Sequence, residues 1–194
     1  MRKLPRSFYL GGDVVAIARD LLGKVLVTNF DGRVAAGIIA ETEAYAGAGD
    51  RASHAYAGRR TRRNEVMYAE GGTAYVYLCY GIHHLFNVVT SSADIPHAVL
   101  IRAILPVEGL DLMRERRGGA SRLSTGGPGT LTQALGIRTV HNGTDLLGDA
   151  IHIEDRSIAL PSEAMITGPR IGVDYAGADA LLPYRFHFDP RLLS

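Results

Sequence analysis

Apolar segments rich in β-branched residues, separated by turn sequences, dominate the first half of the chain. Residues 24–30 (KVLVTNF) have the composition of a strand, and the Asp31-Gly32 pair that follows is typical of a hairpin turn. Residues 33–45 (RVAAGIIAETEAY) have the pattern of the returning strand. An antiparallel hairpin is therefore predicted near the start of the chain.

Three later segments also predict strands. Residues 73–80 (TAYVYLCY) and 84–90 (HLFNVVT) predict a second hairpin that turns at Gly81, and residues 97–105 (HAVLIRAIL) predict a further strand. The other predicted elements are a helix over residues 14–22 that Asp13 caps and Gly23 ends, a charged helix near 110–117, a short helix after the glycine-rich turn 124–129, and weak strands near 151–154 and 184–188. Strands and helices do not alternate as in βαβ units, so the pattern indicates an α+β domain.

Length and composition favour one folded domain. The chain has 194 residues, 46% hydrophobic and 21% charged, so it can bury a core and is not intrinsically disordered.

It has no run of 18 apolar residues, and its first residues lack the features of a signal peptide. The single cysteine, Cys79, cannot form an internal disulfide and suits a reducing compartment. We therefore expect a soluble protein of the cytoplasm or nucleoid, with no membrane partner.

Basic residues are distributed unevenly along the chain. The formal net charge is +1, but residues 1–63 contain 11 basic and 6 acidic residues, against 10 and 14 in residues 64–194. Arginine accounts for 19 of the 21 basic residues. An arginine cluster lies between positions 51 and 63 and consists of Arg51, Arg59, Arg60, Arg62 and Arg63. Such a cluster attracts phosphate groups, although a solvated arginine-rich loop is the alternative.

Tyrosines are concentrated around this cluster. Six of the nine lie between positions 45 and 80, and tyrosine rings can stack on bases while arginine binds phosphates. Tyr75 and Tyr77 alternate with aliphatic residues and so share one face of a strand. Tyr80 precedes the turn and is expected to project from the hairpin tip. The alternative, most relevant to Tyr75, is an aromatic face packed in the core.

Two carboxylates, Glu41 and Glu43, are spaced two residues apart in a predicted strand. Their side chains should share one face of that strand, with Cα atoms about 6.6 Å apart. A conventional sugar hydrolase needs carboxyl groups on both sides of the scissile bond, and neighbours on one face cannot provide them. One carboxylate that activates water, with the other paired to an arginine, fits better. Two ordinary ion pairs are the alternative.

Nothing in the sequence indicates a metal or a cofactor. His54, His83, His84 and His97 lack the spacing of a helical zinc site, and the turn at residues 126–129 lacks the lysine of a phosphate-binding loop. The backbone amides of this turn could hold one phosphate, or the turn could be a plain loop. We expect neither metal nor cofactor.

Longer motifs run in order along nearly the whole chain. They are ETEAY from residue 41, D-x-A-S-H from 50, G-R-x-T-x-R-N from 58, YVYLCYGIHHLFNVV from 75, AVLIRAILPVEG from 98, GPGTLTQALGI from 127 and RIGVDYAG from 170. Together they resemble the alkyladenine (3-methyladenine) DNA glycosylase family, and an ordered set is far more specific than one short motif. The resemblance implies a single α+β domain over residues 1–194, with a curved, mostly antiparallel sheet, flanking helices and a protruding hairpin that enters the minor groove.

The resemblance also implies base-excision repair. The enzyme would remove alkylated purines such as 3-methyladenine and 7-methylguanine from duplex DNA, with deaminated or etheno-adducted purines as further candidates. Glu43 resembles the general base that activates water, and Arg102 and the backbone carbonyl of Val173 resemble groups that hold this water. We expect the protein to act as a monomer.

Further positions of the family match residues that bind the damaged base and the DNA. Tyr45, His54 and Tyr77 resemble the walls that stack on the flipped base, and Asn87 resembles a gatekeeper that disfavours normal guanine. Tyr80 resembles the wedge that fills the gap left in the duplex.

Arg59, Arg60 and Arg63 are expected to contact the DNA backbone. The two lysines, Lys3 and Lys24, lie outside the proposed site. Because lyase activity usually needs an amine that forms a Schiff base, we expect a monofunctional enzyme that leaves an abasic site in an intact strand.

The sequence departs from the family pattern at two places. Thr130 stands where the family often has lysine, and His83-His84 where aromatic or small residues are common, which puts DNA affinity and lesion range in question.

Two rival functions are considered beside the glycosylase. A module that binds damaged nucleic acid without cutting would not need Glu43. A hydrolase of free nucleosides or small glycosides would need neither the arginine cluster nor a projecting Tyr80.

Overall fold

One large sheet organises the part of the chain that the computed structural model describes, residues 2–119, 121–160 and 162–189. Its nine strands are β1 (Arg2–Lys3), β2 (Val25–Phe30), β3 (Arg33–Tyr45), β4 (Ala74–Cys79), β5 (His83–Thr90), β6 (His97–Glu108), β7 (Ile151–Asp155), β8 (Met165–Gly168) and β9 (Arg185–Phe188). The α-helices in these ranges are α1 (Arg6–Tyr9), α2 (Val14–Asp20), α3 (Leu110–Arg116) and α4 (Pro128–Leu135). Short 3-10 helices occur at Gly47–Gly49, Tyr56–Gly58, Glu65–Tyr68, Thr139–His141, Ser162–Ala164 and Asp174–Leu181.

Every strand pairing in the sheet is antiparallel. The order is β1-β7-β2-β3-β6-β5-β4, and β9 pairs with both β3 and β8. The long strand β3 pairs with β6 along one edge, while β2 and then β9 occupy its other edge. The predicted α+β class with a mostly antiparallel sheet is therefore confirmed.

The first hairpin and its preceding helix form as the sequence predicts. Asp13 caps α2, because its Oδ1 accepts the backbone N–H groups of Val15 and Ala16 at 2.9 and 3.1 Å. Asp31 and Gly32 adopt φ values of 54° and 76°, the left-handed conformation that a two-residue hairpin turn needs.

The later elements are also close to their predicted positions. The second hairpin consists of β4 and β5, and β6 extends three residues beyond the predicted end at Leu105. The short elements β1, α1 and β8 were not predicted. Strand β8 has no buried residue and pairs only with β9 among the described strands, so it lacks the alternation that identifies a half-buried strand.

The main core lies between the sheet and the helices α2 and α4. Leu21, directly after α2, and Leu131 of α4 are fully buried in it, together with Ile39, Phe86 and Ile101 of the central strands. Burial of each such side chain contributes about 1.5–3 kcal/mol to folding. A smaller cluster around Met67, Tyr75 and Val89 packs at the β4–β5 end of the sheet. This second cluster supports the candidate site described below.

No helix in the described ranges is long and apolar enough to cross a membrane.

Candidate active site

A cavity of about 650 Å³ lies beside the β4–β5 hairpin. It is lined by the end of β3, the segment that carries the arginine cluster, strands β4 to β6, the start of α4 and the segment that follows β8. The sequence-predicted residues that line it are Tyr45, His54, Arg63, Tyr77, Tyr80, Asn87, Arg102 and Val173. The fold thus brings together residues from six separate motifs in one concave site.

Glu43 lies directly behind the cavity wall and is fully buried. Its Oε1 accepts the backbone N–H of Ile171 at 2.8 Å, and its Oε2 accepts the Tyr45 hydroxyl at 2.8 Å. The Nε of Arg102 lies 3.4 Å from Oε1. These three partners all line the cavity, so the carboxylate is separated from it only by the groups that bind it.

Burial sets the basicity of this carboxylate. Desolvation raises the pKa of Glu43, and the charge of Arg102, the N–H of Ile171 and the hydroxyl of Tyr45 oppose that rise. Desolvation and the neighbouring Glu43 also raise the pKa of Tyr45, which therefore remains a hydrogen-bond donor. Glu43 is consequently a stronger base than an exposed glutamate.

Glu41 has a different environment, although it is only two residues away. Its Oε1 accepts Arg102 Nε at 3.2 Å and Arg185 Nη1 at 3.0 Å, and its side chain is 15% exposed. The register of β3 on β6 is irregular on both sides of Glu41, and the ladder skips Arg102. Such bulges change the direction of side chains. One carboxylate is thus paired with arginines and the other is buried, as the predicted division of roles requires.

Three aromatic side chains form one wall of the cavity. The Tyr75 hydroxyl lies 2.9 Å from Nδ1 of His54, and the His54 and Tyr77 rings meet edge to face with centroids 4.7 Å apart. Burial, and secondarily the charge of Arg63, lowers the pKa of His54, so the imidazole is neutral at neutral pH. Tyr75 is buried in the core, as the alternative interpretation of its pattern predicts, and it also lines the cavity.

Asn87 lies on the cavity floor, where it is 4% exposed. It pairs with Tyr75 across the hairpin and donates its side-chain amide to the Tyr75 carbonyl at 3.1 Å. A polar side chain held in this way presents a fixed shape to anything that enters the cavity.

The hairpin tip, residues 80–82, projects from the rim of the cavity. Tyr80 is 91% exposed and Ile82 is 72% exposed. Tyr80 and Gly81 have left-handed φ values of 51° and 74°, which form the tight turn. The predicted position of Tyr80 is therefore confirmed.

The predicted DNA-binding arginines have different surroundings in the structure. Arg59 and Arg60 are both exposed. Arg60, however, pairs with Glu65 at 2.7 Å and with Asp94 at 2.7 Å. Its charge is therefore engaged within the protein, and one of its two partners, Asp94, lies 34 residues away in the chain.

The segment after β8 supplies groups that sequence reasoning missed. The N–H of Ile171 is a backbone donor and so has no side-chain signature. Tyr175 is 72% exposed at the cavity and donates its hydroxyl to the Ala52 carbonyl at 3.1 Å. The carbonyl of Val173 accepts the N–H of Ala176 at 2.8 Å and retains a second lone pair for a water.

The two departures from the family pattern also lie at the cavity. Thr130 Oγ1 accepts the Gly127 N–H at 3.1 Å and donates to the Gly127 carbonyl at 2.8 Å, so this side chain closes the first turn of α4. His83 packs against Gly129, where an added Cβ would lie only 2.8 Å from its Nδ1. These residues shape the rim of the cavity near the hairpin.

The two lysines lie away from this site. Lys3 pairs with Asp149 and Lys24 with Asp155, and neither lysine lines the cavity. Among the described residues, no group of three or more His, Cys, Asp or Glu side chains is arranged to hold a metal ion.

Comparison with known proteins identifies the family. The sequence model of the methylpurine-DNA glycosylases matches residues 7–191. The chain is 50% identical over 186 residues to a protein of Chlamydia felis named as a 3-methyladenine DNA glycosylase, a match that covers 94% of each chain. It is 45% identical over 195 residues to a protein of Bacillus thuringiensis with the same name, covering 95% of each. The chain therefore belongs to the methylpurine-DNA glycosylase family of hydrolases.

Proposed function

We propose that the protein hydrolyses the N-glycosidic bond of alkylated purines in duplex DNA, with Glu43 as the base that activates the attacking water. The observation that carries this proposal is the buried Glu43 carboxylate beside Arg102, immediately behind the wall of an aromatic cavity. A carboxylate in this position can act on a water held inside the cavity.

The aromatic wall suits a purine that has left the base stack. Chemistry on a base requires its removal from the duplex, at a cost of a few kcal/mol that damaged bases reduce. The rings of Tyr45 and Tyr77 would stack on the extruded purine, and a cationic methylated base gains about 0.5–2 kcal/mol over such faces. Asn87 at the floor would disfavour the exocyclic amine of normal guanine. We propose 3-methyladenine and 7-methylguanine as substrates, with hypoxanthine and ethenoadenine as further candidates.

The chemical step needs one water and one base. A carboxylate has about four lone-pair sites. Ile171 and Tyr45 occupy two of those on Glu43, and Arg102 lies at ion-pair distance, which leaves capacity to accept a hydrogen bond from a water. As the water oxygen bonds to C1′, its proton passes to Glu43 and the C1′–N9 bond breaks with its electron pair going to the purine. A methylated purine cation leaves as a neutral base, so positive charge on the lesion accelerates the step. Arg102 and the Val173 carbonyl would hold the water.

The products are a free base and an abasic site in an intact strand. Neither lysine reaches the cavity, so the amine that a Schiff-base lyase would need is absent from the described lining. Tyr80 would fill the gap in the duplex, and Arg59 and Arg63 would contact phosphates, in a protein that acts as a monomer.

The test is release of 3-methyladenine and 7-methylguanine from methylated duplex DNA. Wild type should release both bases without strand cleavage, and Glu43→Gln should release them at least about 100-fold more slowly while it still binds abasic duplex. No release by wild type, with DNA binding retained, would instead favour a module that binds damaged DNA without cutting. An adduct trapped by borohydride would contradict the monofunctional assignment.

A further inference from the structure

A buried ion pair between Arg170 and Asp50 lies behind the same cavity. The two side chains are 0% and 2% exposed. The guanidinium donates to both carboxylate oxygens, with Nη2 2.8 Å from Oδ1. It also donates to the carbonyls of Ala44 at 2.9 Å and Asp179 at 3.1 Å. The water-activating step described above uses neither member of this pair.

Each contact of the pair leads to a segment that forms the site. Ala44 lies between Glu43 and Tyr45 in β3, and the guanidinium carbon lies 4.9 Å from the centre of the Tyr45 ring. Asp50 also accepts the N–H groups of Ala46 and Ala52, each at 3.0 Å. The pair therefore fixes the loop that leads from β3 to the cavity wall.

The position of Arg170 in the chain adds the link to Glu43. The next residue, Ile171, provides the backbone N–H that Glu43 accepts at 2.8 Å. Val173 follows two residues later. Because peptide geometry links neighbouring residues closely, an anchored Arg170 limits where the Ile171 N–H can point.

A purely stabilising role explains this arrangement poorly. Burial of two charges carries a desolvation cost that can exceed their attraction, and well-packed apolar residues often serve equally well. The fork of arginine instead provides directed hydrogen bonds to three segments at once. We propose that Arg170, held by Asp50, is a positioning residue that sets the Ile171 N–H and the Tyr45 ring against Glu43. This inference rests on the proposed function.

The expected signature is a loss of rate without a loss of DNA affinity. Arg170→Lys keeps the charge but loses the fork, and misplacement of catalytic groups by about 1 Å can cost about 100-fold in rate. We expect single-turnover excision to fall about 10- to 100-fold. The dissociation constant for abasic duplex should stay within about twofold of wild type, because the pair is buried and the proposed DNA contacts are exposed.

The pH profile provides a second readout that a structural role would not change. The groups that face Glu43 are Arg102, Tyr45, Glu41 and the N–H of Ile171, and that N–H favours the ionised carboxylate. Displacement of the N–H would raise the pKa of Glu43 further. The acid limb of the excision rate should therefore move to higher pH in Arg170→Lys.

Two further variants guard against misfolding and general destabilisation. Asp50→Asn keeps the shape of the pair but removes one charge, and it should lower the rate in the same direction. Ile153→Ala creates a core defect in β7, which pairs with β1 and β2, and serves as a control for lost stability. All rates are measured well below the unfolding temperature of the least stable variant.

The outcomes separate this inference from the proposed function. Loss of rate in both pair variants and an acid limb at higher pH in Arg170→Lys, with neither change in Ile153→Ala, would support it. Wild-type rates in the pair variants, or losses equal to that of Ile153→Ala with an unchanged limb, would overturn it. Absence of base release by wild type would contradict the proposed function itself, and with it this inference.

Discussion

The buried carboxylate centre and the exposed hairpin tip are built in opposite ways. Glu43 is fully buried and has a backbone donor, a hydroxyl and a guanidinium around it. Tyr80 is 91% exposed on a turn of left-handed backbone. The first region is fixed before any substrate arrives, whereas the second presents its side chain to solvent. The contrast matches the proposed division between a chemical step and a docking step.

This division makes separable predictions. Damage to the buried centre should lower the rate of the bond-breaking step and leave DNA affinity intact. Damage to the hairpin tip should have the reverse effect. A variant that lowers both equally would break the comparison.

The largest effect is expected from Glu43→Gln. Loss of a general base typically costs about 10²–10⁴-fold in rate, and single-turnover excision measures this loss directly. Glu41→Gln is the matched control two residues away. Because Glu41 pairs with Arg102 and Arg185, its loss should cost less than about tenfold. Equal losses in the two variants would contradict the separate roles of these carboxylates.

Glu43→Gln should also leave the fold intact. Burial raises the pKa of Glu43 in the folded state, so the protonated form suits the fold best. The stability that this group contributes is present at low pH and is lost as pH rises through the raised pKa. Removal of the charge should therefore not lower the melting temperature at neutral pH, which calorimetry can check. A marked decrease would show that the ionised carboxylate supports the fold.

Tyr80→Ala should have the next largest effect, on affinity. Stacking of one base on an aromatic side chain is worth about 1–3 kcal/mol, so binding of lesion duplex should weaken by about one to two orders of magnitude. Thermal stability should not change, because the ring is exposed. Val140→Ala, at a side chain that is 80% exposed outside the cavity lining, is the control for loss of exposed apolar surface. Unchanged affinity in Tyr80→Ala would contradict a docking role for the hairpin tip.

The pH dependence of excision sharpens the account of the buried centre. Glu43 must be ionised to accept a proton, and burial raises its pKa. The acid limb of the single-turnover rate should therefore lie above about pH 4.3, the usual pKa of a glutamate side chain. Below this limb the rate should fall about tenfold per pH unit. Burial lowers the pKa of His54, so this residue should add no limb near neutral pH. A rate that stays flat down to about pH 4 would contradict the assignment of Glu43 as the base.

The smallest effect concerns the exposed arginines. Arg59→Gln should reduce the slope of log affinity against log salt by about 0.9, the value for one phosphate contact. Arg60→Gln should change the slope less, because Glu65 and Asp94 already pair with Arg60. Salt titrations of both variants on the same duplex measure the difference. Equal slopes would mean that the ion pairs of Arg60 open when DNA binds.

The same contrast explains what could be predicted from the sequence. The bounds of β3 and the exposure of Tyr80 follow from local alternation and turn chemistry, and both predictions are confirmed. The different surroundings of Glu41 and Glu43 depend on a bulge in the β3–β6 ladder, which spacing alone does not reveal. The pair of Arg170 with Asp50 joins residues 120 positions apart. Such contacts depend on strand order, which one sequence does not specify locally.

The central claim is that Glu43 performs chemistry and the hairpin tip performs docking. Its most direct test measures the single-turnover release of 3-methyladenine and the dissociation constant for abasic duplex in Glu43→Gln. The account predicts that release at saturating enzyme is about 10²–10⁴-fold slower than in wild type, with a dissociation constant equal to that of wild type. Release at the wild-type rate, or loss of both release and binding, would contradict it.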